Sequence, residues 1–194
     1  MSRIITISRE FGSGGRAIGQ AVADKLGIPC YDQELIEKIA EESGLSPDFV
    51  ADESENMPRG LLFSVPIFED RSYSGFSMQD VLWQAQKKVI VDLAEQGDCV
   101  MIGRCADYIL KGRQDLVRIF IHASVKKRAE WVMKTYGETK DQAKKHIEEM
   151  DLRRRTYYRL YADMKWGASR NYTMTLNSGE IGEDKCVDII CTLY

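Results

Sequence analysis

Histidine is scarce in this chain: His122 and His146 are the only two. That leaves little material for a zinc centre rich in imidazole or for a Ser-His-Asp triad. The five cysteines, Cys30, Cys99, Cys105, Cys186 and Cys191, are odd in number and form no C-x-x-C pair. They read as reduced thiols of a cytoplasmic protein, mostly small core residues, with Cys105 nearest the candidate site described below. No apolar run approaches the roughly 20 residues of a membrane span. The run at Ile4-Ile5-Thr6-Ile7 is too short for a signal peptide. A net charge of -3 supplies no global basic surface, which argues against nucleic acid and anionic membranes as partners. An anionic ligand must be drawn by a local cluster. The oligomeric state is not written in these features.

The 194 residues that remain to be explained, 44% hydrophobic and 29% charged, suit one globular domain with a sizeable core. Arg3 to Ser8 is a β-branched run that reads as a buried strand, and Arg16 to Leu26 carries Ile18, Val22, Ala23 and Leu26 at helical spacing. Gly27 closes that helix. A short strand at Ile28 to Tyr31 and a helix from Gln33 to Glu42 follow. Residues 43 to about 77 hold three of the four prolines and an acidic run, and read as a mobile insertion with short helices. Gln79 to Gln96 is helical again. Cys99-Val100-Met101-Ile102 suits a central parallel strand buried on both faces. A short helix over Ala106 to Leu110, a strand over Leu116 to Ile121 and a helix over Val125 to Tyr136 come next. Lys140 to Met164 reads as one long charged helix or a helix pair. A last strand, Tyr172 to Leu176, and a helix, Glu183 to Thr192, close the chain. Strands alternating with helices imply an α/β fold, a parallel sheet with helices on both faces.

The chemistry concentrates at the first strand-to-helix junction, Ser8-Arg9-Glu10-Phe11-Gly12-Ser13-Gly14-Gly15-Arg16-Ala17-Ile18-Gly19. Small residues there let backbone N–H groups face an anion, and the helix N-terminus adds a partial positive charge. The match to G-x-x-x-x-G-K-[ST] is imperfect: Gly15-Arg16 stands for Gly-Lys and Glu10 for the first glycine. A plain glycine-rich turn is the competing reading. Gly103-Arg104 ends a buried strand at the edge where ligands of open α/β sheets sit, so Arg104 is a candidate for holding an acceptor phosphate bidentately. Asp107 could orient magnesium or accept a substrate proton, or could simply complement a helix dipole. Asp32 is a helix N-cap or a ligand contact. Arg153-Arg154-Arg155 is the densest basic cluster; Asp151 and Arg155 stand four apart and could pair. The tyrosines that follow read as packing of this helix onto the core.

Taken together, Ile7 to Arg16, Tyr31-Asp32-Gln33-Glu34-Leu35-Ile36, Met101 to Asp107, Ala123 to Arg128 and Tyr172 to Gly179 resemble the cytidylate kinase-like family over nearly the whole chain. The resemblance implies a P-loop NTPase-type parallel sheet with a monophosphate-binding lobe and a helical lid. The core would be 1–30, 97–136 and 171–194, the acceptor lobe 31–96 and the lid 137–170. It implies ATP and magnesium as cofactors, and a nucleoside monophosphate or similar small molecule as phosphate acceptor. The ATP phosphates would lie on Gly12, Ser13, Gly14, Gly15, Arg16 and Ala17, with Asn177 at the adenine edge. Arg16, Arg104, Asp107 and Arg153 would be catalytic, and Asp32, Arg104 and Arg155 would bind the acceptor. The chain departs from the family where it carries Arg16-Ala17-Ile18 in place of Lys-Gly-Thr. Because Ile18 has no hydroxyl, Ser13 or a water would have to hold magnesium. The same departure motivates the alternative of a nucleotide-binding regulator without turnover.

Overall fold

A computed structural model describes residues 3–55 and 78–194. Five parallel strands form one sheet in the order β2-β3-β1-β4-β5: β1 (Ile4–Arg9), β2 (Cys30–Tyr31), β3 (Cys99–Ile102), β4 (Leu116–His122) and β5 (Met174–Asn177). The central strand β1 pairs Ile4 with Cys99 on one side and with Leu116 on the other. The helices are α1 (Gly15–Leu26), α2 (Gln33–Ser43), α3 (Pro47–Glu55), α4 (Met78–Glu95), α5 (Ala106–Ile109), α6 (Val125–Tyr136), α7 (Lys140–Tyr161), α8 (Ser178–Ile181) and α9 (Glu183–Cys191).

The period of two along β1 divides the core. Ile4 packs with Cys99, Met101, Leu35, Ile39, Leu82 and Ile90 on one face of the sheet. Ile5 and Ile7 pack with Ile18, Val22, Val100, Ile102, Ile119 and Ile190 on the other. Burial of such strands on both faces is what their unbroken apolar sequence requires. Helices α2, α3 and α4 therefore share a core with the sheet through Tyr31, Leu35, Val50 and Val89. The insertion expected over 43–77 contains α3; its remainder, 56–77, lies outside the described residues.

Residues 140–161 form one helix, not a pair. Its start is fixed by a capping box: Thr139 accepts from the Gln142 amide, and the Gln142 side chain accepts from the Thr139 amide. Its C-terminal half does not stand away from the domain. Tyr157, Tyr158 and Ala162 pack with Cys105 and with Trp83, Tyr161 and Trp166. Trp83 and Tyr161 stack with ring centroids 4.2 Å apart. The tyrosines thus do what their spacing suggests and join α7 to the body of the protein.

Candidate active site

All five strands point their carboxyl ends to one edge, and the loop between β1 and α1 lies there. Gly12 and Gly14 both have a φ of 76°. A Cβ at Gly14 would also fall 2.3 Å from Glu183 Oε1. Ser13 is buried between them, and its hydroxyl donates to the Glu10 carbonyl at 2.8 Å, with the Ile121 carbonyl 3.3 Å away as the alternative acceptor. Ser178 donates to the Ser13 carbonyl at 2.6 Å and ties the loop to the end of β5. The expected magnesium role of Ser13 does not fit this arrangement: the side chain is buried and turned toward carbonyls inside the protein.

The loop amides divide into two groups. Phe11 N–H donates to Asp151 Oδ1 at 2.8 Å, and Ser13 N–H to the Glu10 carbonyl at 3.3 Å. Among the described residues, no hydrogen bond uses the amides of Gly14, Gly15, Arg16 or Ala17; the first helical bond of the turn is Ile18 to Gly14. Free N–H groups at a helix N-terminus make an anion site. Within the expected cradle, Gly12 to Ala17, the Ser13 amide is the one turned inward; those of Gly12 and of Gly14 to Ala17 have no acceptor among the described residues.

Arg128 and Asp151 hold this loop from behind. Arg128, 5% exposed, donates to the Ala123 carbonyl at 3.0 Å, the Phe11 carbonyl at 3.2 Å and Asp151 Oδ2 at 2.6 Å. Glu10 lies 3.4 Å from the same guanidinium and accepts the Ala123 amide. Asp151 thus pairs with Arg128, not with Arg155 as the helical spacing suggested. Arg155 is exposed.

Arg16 forms an ion pair with Asp32 at the end of β2. The structure thus brings these two sequence candidates together. Its side chain is 69% exposed, so the pair itself is worth little to stability. Of the arginine triplet, Arg154 is the member at the site. It donates to the Arg9 carbonyl at 3.1 Å and lies 5.7 Å from the Phe11 ring. Arg153, the expected catalytic lid residue, is half-buried and among the described residues makes no hydrogen bond to the loop; it stands about 100° around the helix from Arg154.

A small, open pocket lies beside the loop, lined by Ser8, Arg9, Arg104, Cys105, Arg154, Tyr157 and Trp166. Arg104 is 6% exposed, and among the described residues its guanidinium makes one long hydrogen bond, 3.5 Å, to the Val50 carbonyl. Among the described residues no carboxylate pairs with it. A buried guanidinium without a counter-ion is costly, and an anionic ligand would remove the cost. The backbone there is unusual too. Gly103, Arg104 and Cys105 have φ of 73°, 57° and 55° in succession. Two such non-glycine residues side by side are strained, and strain of this kind gathers at functional sites.

Asp107 is 1% exposed beneath the pocket. It accepts from Tyr158 at 2.8 Å and from Ser8 at 3.4 Å. Burial pushes its carboxyl above the usual value, against the opposing pull of the Tyr158 hydrogen bond. Enclosed in this way, it joins β1, α5 and α7 and does not face the pocket as a metal ligand or proton acceptor. Asn177 ends β5, and its buried Oδ1 has no hydrogen-bond partner among the described residues. Sequence reasoning missed Gln86 and the roles of Glu10 and Asp151 behind the loop; it singled out the Arg153-Arg154-Arg155 cluster but preferred Arg153 within it.

Five parallel strands, a glycine loop entering α1 and a helix bearing arginines over the strand ends define a P-loop NTPase fold of the kinase type. Solved structures agree. A shikimate kinase from Bacteroides thetaiotaomicron superposes with a TM-score of 0.57 at 13% identity, covering 100% of this chain and 98% of that one. An uncharacterized protein from Eubacterium ventriosum superposes with a TM-score of 0.73 at 25% identity, covering 98% and 97%. In sequence, a cytidylate kinase from Methanopyrus kandleri is 23% identical over 199 residues, 98% of this chain and 92% of that protein. The cytidylate kinase-like family matches residues 4–180, and the chain belongs to it. It is a nucleotide-binding transferase of the kinase class.

Proposed function

We propose that the protein transfers the terminal phosphoryl group of ATP to a small anionic acceptor, a nucleoside monophosphate or a molecule like it. The observation that carries this reading is the set of unused amides at Gly14 to Ala17, at the mouth of α1 and beside the Arg104 pocket. The ATP phosphates fit the amides, and the orphaned Asn177 Oδ1 suits the amino group of a purine. The acceptor's anion fits Arg104. The acceptor oxygen bonds to the terminal phosphorus as the bridging oxygen leaves with ADP. Catalysis then rests on positioning and charge, with Arg154 at the loop to offset developing negative charge.

The residues present do not fit a magnesium ion held by the protein. Ser13 and Asp107 are enclosed, and Ile18 has no hydroxyl. No cluster of three metal-ligating side chains occurs among the described residues. Magnesium would arrive on the nucleotide, and no step above depends on a protein ligand to it.

A second reading, a nucleotide-binding regulator, is favoured by Arg16 being paired with Asp32 and by the engaged Ser13 hydroxyl. One experiment separates the two: purified protein is incubated with ATP, magnesium and a panel of nucleoside monophosphates and small hydroxy acids. ADP production that requires an acceptor supports the kinase. Saturable ATP binding with no ADP from any acceptor supports the regulator.

A further inference from the structure

We propose that Gln86 is a positioning residue for the acceptor anion, acting by holding Arg104 in its left-handed backbone conformation. This rests on the reading that Arg104 receives the acceptor. Gly103 to Ala106 is a turn closed by the Ala106 amide on the Gly103 carbonyl at 3.1 Å. Its two central residues, Arg104 and Cys105, have φ of 57° and 55°. A turn of that kind is normally built from glycine, asparagine or aspartate, whose side chains tolerate it. Arginine and cysteine do not relax into it unaided, so the surroundings must over-determine it.

Gln86 is what does so. It sits on α4, is 0% exposed, and donates from Nε2 to the Arg104 carbonyl at 2.8 Å. Its Oε1 accepts the Tyr157 hydroxyl at 3.1 Å. The two bonds fix which way the amide faces, because a carbonyl can only accept. Fixing that carbonyl fixes the peptide plane between Arg104 and Cys105, and hence the direction in which the Arg104 side chain leaves the backbone. Tyr157 lies one helical turn from Arg154 on α7, and both line the pocket with Arg104. A single buried amide therefore sets the strained turn in register with the helix that carries the loop-facing arginine. Gln86 is the polar member of the buried face of α4, which it shares with Leu82, Ala85, Val89 and Ile90.

The test measures inorganic phosphate binding by tryptophan fluorescence, since Trp166 lines the pocket. Arg104→Met identifies the signal of this site. Gln86→Leu should weaken phosphate binding about tenfold, the size of one hydrogen bond to a well-placed group. Gln86→Glu, nearly the same shape, should weaken it at least as much, because an oxygen then faces the Arg104 carbonyl. Tyr157→Phe should lose less, about threefold. Phosphate binding within twofold of the parent in folded Gln86→Leu or Gln86→Glu overturns the proposal, as does a parent protein whose phosphate signal ignores Arg104→Met. If neither Gln86 variant folds, Tyr157→Phe decides by the same measure. With a turned-over acceptor, Gln86→Leu should raise the acceptor KM about tenfold and leave the ATP KM within twofold; both rising together contradicts a positioning role. A parent that binds phosphate through Arg104 yet turns over no acceptor defeats the kinase reading and leaves this one standing.

Discussion

Asp151 accepts the Phe11 amide on one oxygen, at 2.8 Å, and the Arg128 guanidinium on the other, at 2.6 Å. A carboxylate from α7 thus holds the entrance of the phosphate loop, and a buried cation from α6 holds the carboxylate. Both side chains are nearly inaccessible, 6% exposed for Asp151 and 5% for Arg128. Removing one partner strands the other. Asp151→Ala is expected to cost about 3–5 kcal/mol in urea unfolding, the range for breaking a buried pair. Arg155→Ala, on the exposed side of the same helix, should stay within about 0.5 kcal/mol of the parent.

Arg154 and Arg153 make a sharp contrast. The first touches the Arg9 carbonyl and the Phe11 ring. Arg154→Met is expected to lower kcat by about 10³-fold, the low end of what a charge-stabilising arginine contributes to phosphoryl transfer. Arg153→Met should lower it less than threefold. Steady-state kinetics on the two variants reads the difference, and equal losses would remove Arg154 from the site.

Much of the fold could be read before any coordinates. The strand at Cys99–Ile102 and the helix at Val125–Tyr136 fall where their hydrophobic patterns put them, since burial on one stripe or on both faces leaves a period in the sequence. The loop was legible because glycines cluster only where the backbone must turn. The wiring of the site was not. Asp151 finds Arg128 across 23 residues and two helices, while its neighbour at helical spacing, Arg155, faces solvent. Gln86 is one polar residue in an amphipathic helix, and nothing local marks it as the partner of a carbonyl 18 residues on. Pairings of that sort depend on tertiary placement, which periodicity does not encode.

Arg16→Ala separates stability from binding. Its pair with Asp32 is 69% and 21% exposed, so losing it should shift unfolding by less than about 1 kcal/mol. If Arg16 swings onto the ATP phosphates, the same variant should weaken ATP binding about tenfold by calorimetric titration. Unchanged ATP affinity would assign Arg16 to the link with β2 alone.

Asp107 makes stability depend on pH. Its carboxyl titrates above the ordinary 3.8 in the folded protein because it is buried, so the fold prefers the protonated form. That contribution is full below pH 3.8 and is lost as pH rises through the folded value. Asp107→Asn, which cannot ionise, should gain on the parent in melting temperature as pH rises from 4 toward neutrality, and the gap should then level off. A gap that stays constant across this range, in thermal melts at matched ionic strength, would contradict the assignment.

The account depends most on the amides of Gly14, Gly15, Arg16 and Ala17 holding the phosphates of the nucleotide. Amide chemical-shift mapping with ATP and magnesium tests this directly. The largest changes should fall on those four N–H groups and only small ones on Phe11, whose amide Asp151 already occupies. ATP binding that leaves the four unmoved, or that falls elsewhere on the protein, would contradict it.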